Sequence, residues 1–246
     1  RLACRAYAAG VRMLEVGIAY DDPCADGPAI QAASARARSA GSSTQRALEA
    51  MDEVRRACPE LALNMLVYGN LVHARGVERF CADAVAHGAS SLLVPDIPHE
   101  EAASLRAACR AQDLGHVVFV GPMTDEARCA TLAAEAEGAF VYLAATQGVT
   151  GATEAQDRAE LVRRLTTSVR APVCVGFGIT SRRQAEAVFE AGASIAVVGS
   201  HFARAIGAAI DGGAQRSGVV AAFDDALRPF LLREIPSERP SQCSSS

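Results

Sequence analysis

Glu15 sits between Leu14 and Val16 in an apolar run, and an acidic, turn-rich loop follows, Asp22-Pro23-Cys24-Ala25-Asp26-Gly27-Pro28. A strand carrying Glu15 near its end, followed by a loop carrying Asp26, aims two carboxyl groups into one cleft, which is the arrangement of general acid–base chemistry. Burial among aliphatic neighbours disfavours the charged carboxylate, so Glu15 is expected to be partly protonated near neutrality. Its other reading is a carboxylate paired with an Arg at the rim. By local sequence alone Asp26 serves equally well as a turn former, because Asp-Gly-Pro is ordinary loop chemistry.

A second group of residues suits an anion. Gly176 and Gly178 follow one short apolar strand, and Gly199-Ser200 follow the next, just ahead of a helix. Missing Cβ atoms allow close backbone approach, and the N–H groups that open a helix attract negative charge. Tight strand-to-helix turns use glycine too, but two such turns on the last two strands favour a phosphate site. Tyr142 alternates with Phe140 and shares its inward face, either as core or as a hydroxyl reaching the site. The small-residue loop Gly148-Val149-Thr150-Gly151-Ala152 reads as a mobile lid or as a flexible connection. Asp96, before Ile97-Pro98, reads as a rim hydrogen-bonder that fixes a loop.

These residues need a scaffold that gathers strand ends. Apolar strands are expected at Met13 to Ile18, Leu61 to Tyr68, Ser91 to Pro95, Val117 to Val120, Ala139 to Ala144, Val173 to Val175 and Ile195 to Val198. Between them run helical patterns at Ile30 to Ala40, Thr44 to Ala57, Val77 to His87, Glu100 to Ala111, Asp125 to Ala136, Gln156 to Leu165 and Arg182 to Ala191. A helix from Leu2 to Ala9 precedes them, and helices near Phe202 to Ala209 and Val219 to Leu232 follow. Short strands that are apolar throughout, alternating with amphipathic helices, form a parallel sheet covered by helices. A doubly wound sheet requires a glycine fingerprint after an early strand; the one candidate, Gly176-Phe177-Gly178, has Ser181 where the third glycine belongs. The strand ends carry Glu15, Tyr68 with Asn70, Asp96, Tyr142, Gly176 with Gly178, and Gly199 with Ser200, as a (β/α)8 barrel enzyme requires.

Composition is compatible with this. Of 246 residues half are hydrophobic, only 5% are aromatic and none is Trp, so the core is built from small aliphatic side chains. The net charge of −4, without a basic cluster, argues against nucleic acid and against an anionic membrane surface as partners. No Lys occurs, which excludes Schiff-base chemistry through a lysine amine. Eight scattered cysteines without a C-x-x-C pair read as reduced cytoplasmic thiols, and five histidines without ligand spacing suggest no metal. No apolar run approaches the ~20 residues of a membrane helix.

The motifs Leu14-Glu15-Val16-Gly17 and Asp22 to Pro28 closely resemble the tryptophan synthase α chain family. The resemblance runs in one register from about Arg1 to Leu232 through Leu66 to Asn70, Leu93 to Pro98, Gly148 to Gly151, Gly176 to Ile179 and Gly199-Ser200. It implies a lyase of tryptophan biosynthesis that splits indole-3-glycerol phosphate into indole and glyceraldehyde 3-phosphate by a retro-aldol reaction. By the resemblance Glu15 is the catalytic acid/base, Asp26 holds the indole N–H, and Tyr142 is an active-site hydroxyl. Thr150 would bond Asp26 when the lid closes, and Gly151, Gly178, Gly199 and Ser200 would hold the phosphate. No cofactor is implied, since pyridoxal phosphate belongs to the partner β chain of an α2β2 heterotetramer, and Asp22 matches the partner-contacting aspartate. Ala19, Asp21 and Ala145 depart from the family pattern. Alternatives are a non-catalytic, phosphate-ligand-binding regulator of the β chain, or another phosphate-sugar barrel enzyme.

A single barrel domain is expected over residues 1–235, with a disordered Ser/Pro-rich tail over 236–246. Only seven strands can be counted, and the family's first strand is absent ahead of Arg1, so the wall should have a vacant place between Ile195 to Val198 and Met13 to Ile18. Unpaired backbone groups at such edges cost ~1–3 kcal/mol each if unsatisfied, against a total stability of about 5–15 kcal/mol. The chain is therefore expected to behave as a fragment, marginal, aggregation-prone and weakly active or inactive.

Overall fold

A computed structural model describes residues 1–136, 138–144, 152–176 and 178–231, and the side chains of all of these but 152–158. Thr150, Gly151, Ala145 and the expected tail at 236–246 lie outside the described residues.

The strands are β1 (Met13–Gly17), β2 (Ala62–Leu66), β3 (Ser91–Leu93), β4 (Gly115–His116), β5 (Val118–Val120), β6 (Val141–Ala144), β7 (Val173–Gly176) and β8 (Ile195–Ala196). Every pairing is parallel. The strand expected at Val117 to Val120 begins earlier and is divided at Val117. Its N–H donates to the Leu92 carbonyl at 2.9 Å, whereas the Val118 N–H donates to Phe140 at 3.3 Å. β4 and β5 are thus two halves of one wall position, and the ladder passes from β3 to β6 through them.

Alternation then sorts the side chains. Met13, Leu66, Leu93, Val117, Phe119, Tyr142, Cys174 and Ile195 join in one cluster fed by every wall position, the barrel interior. Their neighbours in sequence, among them Leu63, Met65, Leu92, Val118, Val141 and Val175, pack outward under the helices.

The covering helices are α1 (Leu2–Ala8), α2 (Pro28–Ser39), α3 (Thr44–Ala57), α4 (Gly69–Arg75), α5 (Val77–Ala86), α6 (Ala103–Ala111), α7 (Glu126–Ala133), α8 (Ala152–Ser168), α9 (Arg182–Glu190), α10 (Ser200–Asp211) and α11 (Arg216–Leu227). Local chemistry starts several of them. Ser43 and Asp125 cap α3 and α7, and Ser181 with Gln184 forms a capping box on α9. Helix α4 was not expected, because its first N–H, that of Gly69, is satisfied at 2.8 Å by Asp96 from beyond the end of β3. Asp96 is accordingly the rim hydrogen-bonder its position suggested. The last helix ends before Leu232 because Pro229 forces a 3-10 turn at Arg228–Phe230.

Among the described residues no backbone pairing joins β8 to β1. These outermost strands are also the least covered. No residue of β1 or β8 is fully buried, whereas β3 and β7 are buried throughout. The two ends are tied through the helix layer, where α10 packs on α2 and α11 on α1. Ala6, Phe223 and Leu227 form a small core there with Phe202 and Ile206, and Arg5 grips Asp224 through two contacts of 2.5 Å.

Because that seam replaces strand pairing, Phe223→Ala should lower unfolding stability by about 3–5 kcal/mol. Guanidinium denaturation measures it. A loss below about 1 kcal/mol would show that the seam does not hold the ends together.

Candidate active site

β1 places Glu15 on the inward face, and the sheet register aligns it with Asn64 on β2 and Ser91 on β3. Asn64 Nδ2 donates to Glu15 Oε1 at 3.0 Å, and Ser91 Oγ donates to Asn64 Oδ1 at 2.8 Å. The Tyr142 hydroxyl, on the inward face of β6, also hydrogen-bonds Glu15. The carboxyl thus meets an amide and a phenol rather than an arginine. Burial pushes its pKa up to about 7 from 4.5; the Asn64 bond opposes this, the charge of Asp26 adds to it, and the Tyr142 bond opposes it again. At neutral pH both protonation states of Glu15 are populated, as proton transfer in both directions requires.

Asp26 is a turn residue whose carboxyl also has a side-chain partner. Its N–H closes a turn on the Pro23 carbonyl at 3.0 Å, while its side chain meets the Tyr68 hydroxyl. Burial raises the Asp26 pKa and the Tyr68 bond opposes it. Tyr68 also accepts the Ala25 N–H at 3.2 Å, and its ring stacks on Tyr20 with centroids 5.3 Å apart. Asn70 Nδ2 donates to the Tyr20 hydroxyl at 2.6 Å, and Ser34 of α2 holds the Tyr20 backbone through both its N–H and its carbonyl. Gln31 Nε2 donates to the Asp26 carbonyl at 2.8 Å. The acidic loop is therefore clamped from β2 and α2. Tyr68 is a residue sequence reasoning placed at a strand end without giving it this task.

Asp22 is exposed on the same loop, and neighbouring Asp21 pairs with Arg38. The candidate anion residues divide. Gly176 lies against Tyr142, and a Cβ there would fall inside the Tyr142 hydroxyl and ring. This glycine makes room for the phenol that reaches Glu15. Gly178 has φ +78°, a turn that favours glycine, and is exposed just beyond β7. Gly199 precedes α10 and Ser200 opens it, just beyond β8. Because every strand runs parallel, Gly178, Gly199, Ser200, Tyr68, Asp26 and Asp96 all follow carboxyl ends and share one face of the barrel.

Among the described residues, no group of three His, Cys, Asp or Glu side chains is placed to hold a metal. A separate cavity of about 220 Å³ is bordered by Val94, His99, His116 and Arg128. Burial lowers the His116 pKa to about 4, so that imidazole is neutral at physiological pH.

The sequence profile described as tryptophan synthase alpha chain matches residues 2–228. The tryptophan synthase alpha chain of Prochlorococcus marinus strain MIT 9313 is 40% identical over 205 residues, covering 82% of this chain and 74% of the relative. That of Synechococcus sp. strain CC9902 is 42% identical over 195 residues, covering 78% of this chain and 72% of the relative. A chain from the tryptophan synthase α2β2 complex of the hyperthermophile Pyrococcus furiosus superimposes with a TM-score of 0.82 at 28% identity, covering 93% of this chain and 90% of its own.

Two outcomes follow from the packing around Glu15. Gly176→Ala should displace the Tyr142 ring, lowering stability by about 1–3 kcal/mol and raising the Glu15 titration midpoint. Wild-type values of both, by chemical denaturation and carboxyl NMR, would contradict the packing. For Glu15 itself, a pKa raised on folding means that the charged form destabilises the native state. This penalty is absent below the unfolded pKa near 4.5, grows as pH rises through about 7, and is complete above it. Glu15→Gln should therefore gain on the order of 3 kcal/mol relative to wild type at pH 8, and nothing at pH 4. An equal difference at both pH values would mean that the carboxyl is not held in a desolvated site.

Proposed function

The chain belongs to the tryptophan synthase α chain family, and we propose that Glu15 and Asp26 carry the family's reaction, cleavage of indole-3-glycerol phosphate to indole and glyceraldehyde 3-phosphate. The observation that carries this reading is a half-buried carboxyl turned into the barrel interior, held by Asn64 and Tyr142, whose pKa desolvation raises to about 7 and which feels the charge of a second carboxylate, Asp26. Protonated Glu15 delivers its proton to indole carbon C3, and the ring nitrogen becomes cationic. Asp26, fixed by Tyr68, accepts the indole N–H and offsets that charge, a preorganised electrostatic contact. The bond from C3 to the glycerol carbon then breaks, and its electrons restore the aromatic ring. The adjacent hydroxyl becomes the aldehyde and gives its proton to the Glu15 carboxylate, which regenerates the acid. The products balance the substrate without redox change.

Tyr142 steadies the Glu15 carboxyl through its hydroxyl. The phosphate would rest on Gly178, Gly199 and the opening N–H groups of α10 at Ser200, with Thr150 and Gly151 closing over it. The Pyrococcus furiosus relative stands in an α2β2 complex. The same assembly is proposed here, with exposed Asp22 on the face toward a pyridoxal-phosphate β chain. Seven cysteines are free among the described residues, and no helix among them is long and apolar enough to cross a membrane. Both facts support a cytoplasmic site of action.

Indole release from indole-3-glycerol phosphate, with and without a β chain, tests the reading. Glu15→Gln should lose roughly 10²–10⁴-fold in kcat while substrate still binds within a few-fold of wild type. Full activity in that variant would reject Glu15 as the acid.

A further inference from the structure

We infer that Asn64, locked by Ser91, is a positioning residue that decides which oxygen of Glu15 carries the transferable proton; the inference rests on the proposed role of Glu15 as the acid. The two side chains are the polar residues of the described core, Asn64 1% and Ser91 4% exposed, in an interior otherwise built of aliphatic and aromatic groups. Burying an amide and a hydroxyl there is unfavourable unless both are satisfied, and an aliphatic pair would fill the same space without that requirement. The in-register row of Glu15, Asn64 and Ser91 across β1, β2 and β3 shows what the polarity accomplishes.

An amide has a donating end and an accepting end of nearly equal shape. Ser91 donates into Asn64 Oδ1, so the Nδ2 end is the one turned to Glu15 Oε1. An oxygen receiving that N–H at 3.0 Å is the deprotonated oxygen of the carboxyl. The Asn64 bond thus directs the proton toward Oε2, while the Tyr142 hydroxyl supplies the second hydrogen bond to the carboxyl. Because the donated N–H favours the charged form, it also limits how far burial raises the pKa of the acid, keeping both protonation states accessible. The other titratable groups facing Glu15 are Asp26 from its loop, Tyr142 from β6 and Cys174 from β7. All three are unchanged by substitution at Asn64 or Ser91, so a shift reports the amide.

The test compares wild type, Asn64→Leu, Ser91→Ala and the double variant. Asn64→Leu keeps the volume and removes the donor, and Ser91→Ala removes one hydroxyl in case the first change disturbs folding. Carboxyl NMR of Glu15, which needs no substrate, should show its midpoint raised by about one pH unit in Asn64→Leu, with a smaller rise in Ser91→Ala. The double variant should match Asn64→Leu alone, since Ser91 acts through the amide. In indole release, kcat should fall about tenfold with KM unchanged, and the alkaline limb of the kcat profile should move to higher pH with the carboxyl midpoint. A wild-type midpoint in both single variants overturns the inference, as does a shift in Ser91→Ala that persists in full when Asn64 is Leu. Absence of indole release from the wild type overturns instead the reaction on which the inference rests.

Discussion

A carboxyl group held inside an apolar barrel is the constraint on which this molecule turns. Glu15 faces inward with Met13 into a space lined by Leu66, Leu93, Val117 and Cys174, where a charge is poorly solvated. Desolvation there raises its pKa. Two hydrogen bonds, from Asn64 and from Tyr142, pull it part of the way back. The result is an acid near neutrality, in which desolvation outweighs the hydrogen bonds that oppose it. Neighbouring features are explained by that balance. Gly176 lacks a side chain so that the phenol can come close, Ser91 fixes the amide, and Asp26 is placed near enough for its charge to be felt but is anchored on Tyr68.

The scaffold meets this constraint by keeping its rigid and its chemical parts on different sides. Outward-facing residues of the same strands pack under helices and stabilise the wall, so the inward positions are free to carry polar groups. Every strand points the same way, and the loops beyond their carboxyl ends therefore converge. The acidic loop makes its own turns and is held from outside as well. It is gripped by Tyr68, Asn70, Gln31 and Ser34, which belong to or adjoin β2 and α2. Where β8 and β1 are not paired, α1, α2, α10 and α11 carry the connection, so the site at β1 relies on helix packing for one of its flanks.

Much of this was legible in the sequence because it obeys local rules. The alternation of Phe140 and Tyr142 placed the phenol inward, apolar runs with single polar residues at their ends located the strands, and Asp96 before a Pro marked a rim contact. The tryptophan synthase α chain resemblance, read from Leu14 to Gly17 and Asp22 to Pro28, agrees with the relatives and with the superposition. What escaped depends on partners far apart in the chain. Helix α4 starts because Asp96, in the loop beyond β3, accepts its first N–H, and no pattern in Gly69 to Arg75 announces that bond. Asn64 looks like a lone polar residue inside an apolar run, and Ser91, after Ser90, like the end of a polar turn beside one. The available signal was their parity, since each shares the inward face with Glu15 once the register is known. Gly176 read as a phosphate residue because its type suits either purpose, and only the position of Tyr142 separates the two.

The central claim is that burial tunes one carboxyl to neutrality and that this carboxyl does the proton transfer. Following the wild-type Glu15 carboxyl by NMR and the rate of indole release across the same pH series tests it most directly. The account predicts that Glu15 titrates near pH 7 and that the rate falls on the alkaline side with that same midpoint. A carboxyl that titrates near the ordinary 4.5, with turnover continuing unchanged well above it, would contradict the account.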